Sequence, residues 1–396
     1  MIPVVTLAGT PVEMGHQHAQ QIALLRPLVL EAMEARLAEV RHLEADAPAI
    51  VSAAHDALAT HDRPLLDFLE GLAHGLALDR HELLVYTLGS YLRDLFKVTH
   101  PMPPIVQTLL DDGCTAWAAS PPWSVGGAPL LAKNRDFRQD HIPLQILCDV
   151  RPLQGHRYLC LGSAGSPLVY SSGINERGLA IADTHVLSRD LGPGLPRSSL
   201  MRDVLEQCDS TQAALAYLRT VPHMGGGTLV LADARGELAV CESGHRRSGY
   251  LQSTATVSAE DGRALASANH FVTDELTAQW VEDEPPMLMG NSAARRARVL
   301  EALQEARGRV DAPWARQLMS AHGSLLDALC RHLHGDPEQP ASGRIESSTI
   351  SSAIYLPRGA PEGVLGATRG AAQGAPALWL INGAPCEEAW EWKYFA

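Results

Sequence analysis

One change of periodicity, falling between residues 96 and 114, constrains this chain more than any other feature. Before it, apolar residues recur three and four apart through residues 10–39, 47–58, 64–76 and 80–96, the spacing of amphipathic helices. Thr10-Pro11-Val12-Glu13 opens the first with a hydroxyl N-cap, a proline at the first helical position and a glutamate placed to close a capping box. Asp79, with Glu82 three residues on, opens the last. His100-Pro-Met-Pro-Pro104 then stops the helical pattern, and β-like runs at 115–120, 129–133, 145–150, 157–161 and 178–184 alternate with Gly, Pro and Asn turns. A chain ordered in this way is neither all-α nor all-β.

Residues 189–197 read as a turn-rich linker into helical material at 199–218, followed by strands at 228–234, 237–242 and 264–269. A basic helix at 292–306 interrupts the strands, which resume at 349–356 and 377–381 around a Gly/Pro/Ala-rich loop at 357–376. Helices before, between and around two groups of strands predict an α+β sandwich with its sheets inside. Within it, Asn175-Glu-Arg-Gly178 reads as a turn with Gly178 at positive φ, and Arg295-Arg-Ala-Arg298 as a solvated helix face.

Charge and cysteine usage narrow the function. With 45 Asp plus Glu against 32 Lys plus Arg, a net charge of -13 and no basic run, nucleic acid is not an expected partner. No uncharged apolar stretch of about 18 residues and no leader pattern occurs, so the expected protein is soluble and cytoplasmic, without a membrane partner. The seven cysteines (114, 148, 160, 208, 241, 330, 386) are odd in number and scattered, with no CxxC pair, which predicts neither a disulfide framework nor a zinc knuckle. Each is then a small core residue or a reactive thiol.

Cys114 has the setting for the second role. It stands at the change from helical to strand-rich sequence, and Gly113 before it leaves the preceding carbonyl uncrowded, open to attack by the thiol. Breaking that bond turns Cys114 into an N-terminal residue with its own base, since a free α-amine has a pKa near 8.

Asp112-Gly113-Cys114-Thr115 followed by Lys133-Asn134-Arg135-Asp136-Phe137 resembles peptidase family C45, the self-processing Ntn-hydrolases that include fungal isopenicillin N acyltransferase. The resemblance continues in order through Gly9-Thr-Pro-Val-Glu-Met-Gly15, Gly173-Ile-Asn-Glu-Arg-Gly-Leu179, Ala268-Asn269-His270-Phe271, Cys330-Arg331-His332, Glu346-Ser-Ser-Thr349 and Gly383-Ala-Pro-Cys386. It implies a four-layer αββα sandwich and self-cleavage between Gly113 and Cys114. The helical segment 1–113 and the catalytic segment 114–396 would stay associated as one domain. It also implies that mature Cys114 attacks an amide or thioester carbonyl of a small molecule, forming an acyl-enzyme that water or an amine resolves. Asp136 then holds the new ammonium, and Asn269 presents its side-chain amide to the oxyanion.

Two positions depart from the relatives. Lys133 stands where bile-salt and penicillin V hydrolases have an arginine, with Arg135 beside the aspartate, and a lysine lacks the bidentate fork. Ser347-Ser348 stand where the penicillin acyltransferases carry an arginine, which argues against a penicillin-like carboxylated substrate. The resemblance makes Lys133, Asn134, Arg135, His185 and Ser347 candidates for binding or support. No cofactor and no metal are expected, and nothing in the sequence opposes a homo-oligomer. Two other readings stay open: an uncleaved, catalytically idle binding protein of the same fold, and a zinc hydrolase built on His332, His334 and a remote carboxylate.

Overall fold

The computed structural model describes residues 1–46, 48–100, 113–167, 169–252, 264–283, 288–332, 347–359, 374–387 and 389–395. His334 and most of the 357–376 loop lie outside the described residues.

The N-terminal segment begins with a strand that the periodicity did not signal, β1 (Val4–Gly9), and continues into α1 (Pro11–Gln21). The predicted capping box is present: the Thr10 side chain accepts from the Glu13 N–H, and the Glu13 carboxylate accepts from the Thr10 N–H at 2.7 Å. The expected long first helix is interrupted by a 3-10 turn at Ala23–Leu25 before α2 (Arg26–Asp46) restarts. Pro27, without an N–H, is accommodated in that first turn and nowhere later in a helix. α3 (Pro48–His61) and α4 (Arg63–Leu76) follow as read. The last predicted helix is two, α5 (Arg80–Thr87) and α6 (Gly89–Thr99), meeting at Leu88.

Beyond Cys114 come β2 (Thr115–Ala119), β3 (Leu130–Arg138), β4 (Gln145–Pro152), β5 (Tyr158–Ser163), β6 (Ser172–Asn175) and β7 (Ala180–His185). The turn before β7 is as predicted: Gly178 has φ +80, and the Asn175 side chain accepts from the N–H groups of Arg177 and Leu179. The helical stretch after the linker divides into α7 (Arg197–Gln207) and α8 (Thr211–Leu218), the second capped by Ser210. Next are β8 (Gly227–Ala232), β9 (Leu238–Ser243), β10 (Ser248–Gln252), β11 (Ala264–Ser267), α9 (Asn291–Glu305), α10 (Ala312–Met319), β12 (Ser347–Leu356), β13 (Ala377–Asn382) and β14 (Glu391–Tyr394).

Among the described residues these strands form two sheets. One has eight, in the order β1-β4-β5-β6-β7-β8-β9-β10, and the other six, in the order β11-β2-β3-β12-β13-β14. Among these strands only the β1–β4 pairing, Val4 opposite Leu147 through Gly9 opposite Pro152, is parallel. The sheets face each other through a core of Leu147, Leu159, Leu161, Ile174, Ala182 and Val230 against Ala116, Ala118, Leu131, Ala353, Tyr355 and Leu378. Helices of the N-terminal segment and α7–α8 cover the outer face of the first sheet, where Cys148, Cys160 and Cys241 are core residues. Helices α9 and α10 cover the second through Val299, Leu303 and Ala315 against Trp117, Leu130 and Ile354. The architecture is therefore a four-layer αββα sandwich. Sheets buried on both faces have no solvent side, which is why their strands read as continuous runs rather than alternating ones.

Candidate active site

Cys114 is the residue immediately before β2, at the end of the strand nearest the cleft between α6 and the sheets, and its side chain is almost fully buried. β3 lies alongside, Thr115 opposite Asn134, so the polar run Lys133 to Asp136 passes the thiol. Alternation along β3 divides that run. Lys133, Arg135 and Phe137 line a cavity of about 100 Å³ together with Cys114, Tyr170, Asp183 and Arg197, and Asp136 borders it as well. Asn134 turns the other way, donating to the carbonyls of Met319 at 2.9 Å and Leu329 at 2.8 Å, so it joins β3 to the helical layer instead of facing the cavity.

Lys133 is fully buried, with its ammonium on Asp183 Oδ1 at 2.9 Å, on the Asp183 carbonyl, and beside the Cys114 sulfur. Burial alone lowers a lysine pKa, but the Asp183 carboxylate and the Cys114 sulfur outweigh it and hold Lys133 above its ordinary value. Asp183 also accepts from Arg197 Nε at 3.1 Å. Burial pushes its pKa up, yet Lys133 and Arg197 bring it below the usual carboxylate value. A charged ammonium is thus fixed next to the thiol in a site shielded from water.

Asp136 is on the face of β3 opposite to Lys133 and is fully buried. Thr349 donates to its Oδ1 at 2.6 Å, and Arg331 Nε lies 3.7 Å from its Oδ2. Burial raises the Asp136 pKa, and the positive charges of Arg331 and Arg295 reverse this only in part. Gly113 passes between Asp136 and Arg331: a Cβ there would overlap Arg331 Nη1 and stand 2.9 Å from Asp136 Oδ2. Both atoms, Arg331 Nη1 and Asp136 Oδ2, are buried without a hydrogen-bond partner among the described residues. The bond before Cys114 is therefore flanked by one available donor and one available acceptor.

Asn269 and Cys114 are joined through a residue the sequence reading assigned to a solvated face. Arg295 has no solvent exposure. Its Nη1 donates to the Cys114 carbonyl at 2.7 Å and to Thr115 Oγ1 at 2.8 Å, its Nη2 to Asn269 Oδ1 at 2.7 Å, and its Nε to Asn291 Oδ1 at 2.9 Å. The correction has a simple cause: four acceptors converge on one guanidinium and replace its water. A signal was present, since Arg295, Val299 and Leu303 recur every four residues along the face that packs inward. Asn269 in turn donates one amide hydrogen to the His185 carbonyl at 2.8 Å.

The remaining candidates are spread around this centre. His185 Nε2 lies 2.6 Å from Asp94 on α6, bridging the N-terminal segment to β7 at the cavity wall. Arg135 bonds Ser163 at 3.3 Å and stacks on Tyr170 and Phe137, 4.9 and 5.1 Å from their ring centres. Ser347 is buried at the start of β12 opposite Arg138 and is not among the residues that line the cavity. Sequence reasoning missed Asp183, Arg197, Arg295 and Arg331 as parts of the site, because their partners are distant in the chain.

Residues 123–328 match the family model described as acyl-coenzyme A:6-aminopenicillanic acid acyl-transferase, a little over half of the chain. No curated protein sequence matches. Among solved structures, a variant of conjugated bile acid hydrolase from Clostridium perfringens is similar over 72% of this chain and 97% of its own, at 10% identity and a TM-score of 0.43. Penicillin V acylase from Agrobacterium tumefaciens is similar over 68% of this chain and 83% of its own, at 14% identity and a TM-score of 0.39.

Proposed function

The chain belongs to the acyl-coenzyme A:6-aminopenicillanic acid acyl-transferase family, and from that premise we propose that it cuts its own Gly113–Cys114 bond and then works as an N-terminal cysteine nucleophile. The observation that carries this reading is the pair of buried atoms on either side of Gly113, Asp136 Oδ2 and Arg331 Nη1, neither of which has a hydrogen-bond partner among the described residues. Buried polar atoms without partners are costly, about 1–3 kcal/mol each, and persist where function needs them.

In the proposed self-cleavage the Cys114 sulfur attacks the Gly113 carbonyl carbon, and Arg331 Nη1 faces the developing oxyanion. The C–N bond breaks, the amine takes a proton, and Gly113 is left as a thioester on the Cys114 sulfur. Water hydrolyses the thioester to the Gly113 carboxylate. The new α-ammonium of Cys114 then gives Asp136 Oδ2 the donor that it lacks, and a carboxyl with a raised pKa suits the proton traffic of that step.

In turnover the free α-amine accepts the thiol proton, with Lys133 fixed beside the sulfur to favour the thiolate. The sulfur attacks the carbonyl of a small-molecule amide or thioester, the leaving amine or thiol departs protonated, and water or an amine takes the acyl group. Asn269, with its carbonyl held by Arg295, offers its second amide hydrogen to the oxyanion. The two segments stay together because β1 pairs with β4 and the N-terminal helices share one core with the eight-stranded sheet.

A mature chain made with one extra residue before Cys114 tests the base assignment: it folds but turns over no substrate, while the exact chain forms an acyl adduct on Cys114. Full activity in the extended chain, or an adduct on another residue, overturns the reading.

A further inference from the structure

One loop, residues 320–332, meets the turn after β13 at a cluster that the mechanism does not use. His322 follows α10, Cys330 and His332 precede β12, and Cys386 follows β13. Their ligand-type atoms, two imidazole nitrogens and two sulfurs, all lie within 4.8 Å of one another. We propose that His322, Cys330, His332 and Cys386 form a structural zinc site.

Hydrogen bonding alone does not account for this geometry. His332 Nε2 is approached by His322 Nε2 at 3.1 Å, by Cys330 Sγ at 3.4 Å and by Cys386 Sγ at 3.5 Å. A ring nitrogen carries one hydrogen or one lone pair, so it satisfies one of these three neighbours. A cation at the centre satisfies all four groups. Zn–N bonds of about 2.0–2.1 Å and Zn–S bonds of about 2.3 Å put tetrahedral ligands about 3.3 Å apart for N–N and about 3.6 Å apart for N–S. The three separations from His332 Nε2 are close to those edges, and the remaining pairs lie within 4.8 Å.

The donor set also selects the metal. Two thiolates and two imidazoles favour zinc over magnesium or calcium, which prefer oxygen, and four protein ligands leave no open position for catalysis. Two thiolates balance the charge of Zn²⁺, so the complex is neutral, as a half-buried site requires. The site ties together the chain on either side of Arg331, whose N–H donates to Thr349 Oγ1 at 2.9 Å and whose carbonyl accepts from the Thr349 N–H at 3.0 Å. Metal binding would therefore fix the backbone that aims Arg331 at Gly113.

The test is independent of self-cleavage. Elemental analysis of untagged protein, purified reduced and without chelator, gives about one zinc per chain in both wild type and Cys114→Ala. Cobalt added to metal-stripped Cys114→Ala protein gives the intense visible bands of a tetrahedral centre and a thiolate charge-transfer band. Both are lost in Cys386→Ser and in His322→Gln, with circular dichroism showing that these variants are folded. Folded wild type that retains no zinc and gives no such cobalt spectrum overturns the proposal, as does a Cys330–Cys386 disulfide found in it by peptide mapping.

Discussion

Asp136 and Arg331 meet across the backbone of Gly113, 3.7 Å apart between Oδ2 and Nε, and on the side facing that residue Asp136 Oδ2 and Arg331 Nη1 are buried without a hydrogen-bond partner among the described residues. A glycine there is required by contact rather than by φ.

Gly113→Ala consequently places a methyl group against Arg331 Nη1 and Asp136 Oδ2. Overpacking of this kind costs about 1–3 kcal/mol, and displacing Arg331 removes it from the bond that is to be cut. The expected outcome is a lower melting temperature and self-cleavage slowed at least tenfold, read as the fraction of uncut chain with time on a denaturing gel. Cleavage at the wild-type rate would contradict the contact argument.

Asp136→Asn leaves the shape nearly unchanged but strips Arg331 of its counter-charge. Breaking a buried pair by removing one partner costs about 3–5 kcal/mol, and the variant should remain uncut at temperatures where it is folded. Thr349→Val removes only the 2.6 Å hydrogen bond to Asp136, worth about 1.5–3 kcal/mol to a charged acceptor. Its cleavage should be slowed, not lost. Gel assays beside thermal melts separate the two, and a rapidly cut Asn variant would take Asp136 out of the processing step.

Asn269→Ala should lower turnover by roughly 10²–10³-fold with little change in KM, the usual cost of one oxyanion donor. Asn269→Asp keeps the acceptor for Arg295 but sets a carboxylate oxygen against the His185 carbonyl and the oxyanion, so it should be at least as harmful. An active Asp variant beside a merely destabilised Ala variant would assign Asn269 to the scaffold.

The order of these elements was legible in the chain, and the polar interior was not. The capping box at Thr10 and Glu13, the turn at Gly178 and the strands around Cys114 follow from local chemistry. The apolar pattern ends β3 at Lys133, because a strand continuing through Asn134, Arg135 and Asp136 violates it; the strand holds because each charge finds a distant partner. The same patterning places Arg295 in water, where the fold instead buries it. Spacing along the chain pairs His332 with His334, whereas the fold brings it Cys330, His322 and Cys386. Cys330 and His322 are only 2 and 10 residues from His332, but Cys386 is 54 away, and local pattern carries no information about a contact at that distance.

His18 gives the stability a pH dependence separate from catalysis. It is buried on α1, its Nε2 accepts the Gly165 N–H at 3.0 Å, and burial depresses its pKa from 6.5 to about 4. Between those values the unfolded chain binds a proton that the folded chain refuses. Stability from this group is full above pH 6.5 and falls as the pH drops, by about 1.4 kcal/mol per unit and about 3 kcal/mol in all. Urea unfolding at pH 7.5 and pH 4.5 should show a steeper loss in wild type than in His18→Gln, which keeps the acceptor. Equal slopes would contradict the assignment.

The most direct test of self-processing is the intact mass of the purified protein and of Cys114→Ala, measured under denaturing and native conditions. The wild type should separate into residues 1–113 and 114–396 when denatured and remain one particle when native, while Cys114→Ala stays a single chain of 396 residues. A wild-type protein that is wholly uncut and fully active would contradict the account.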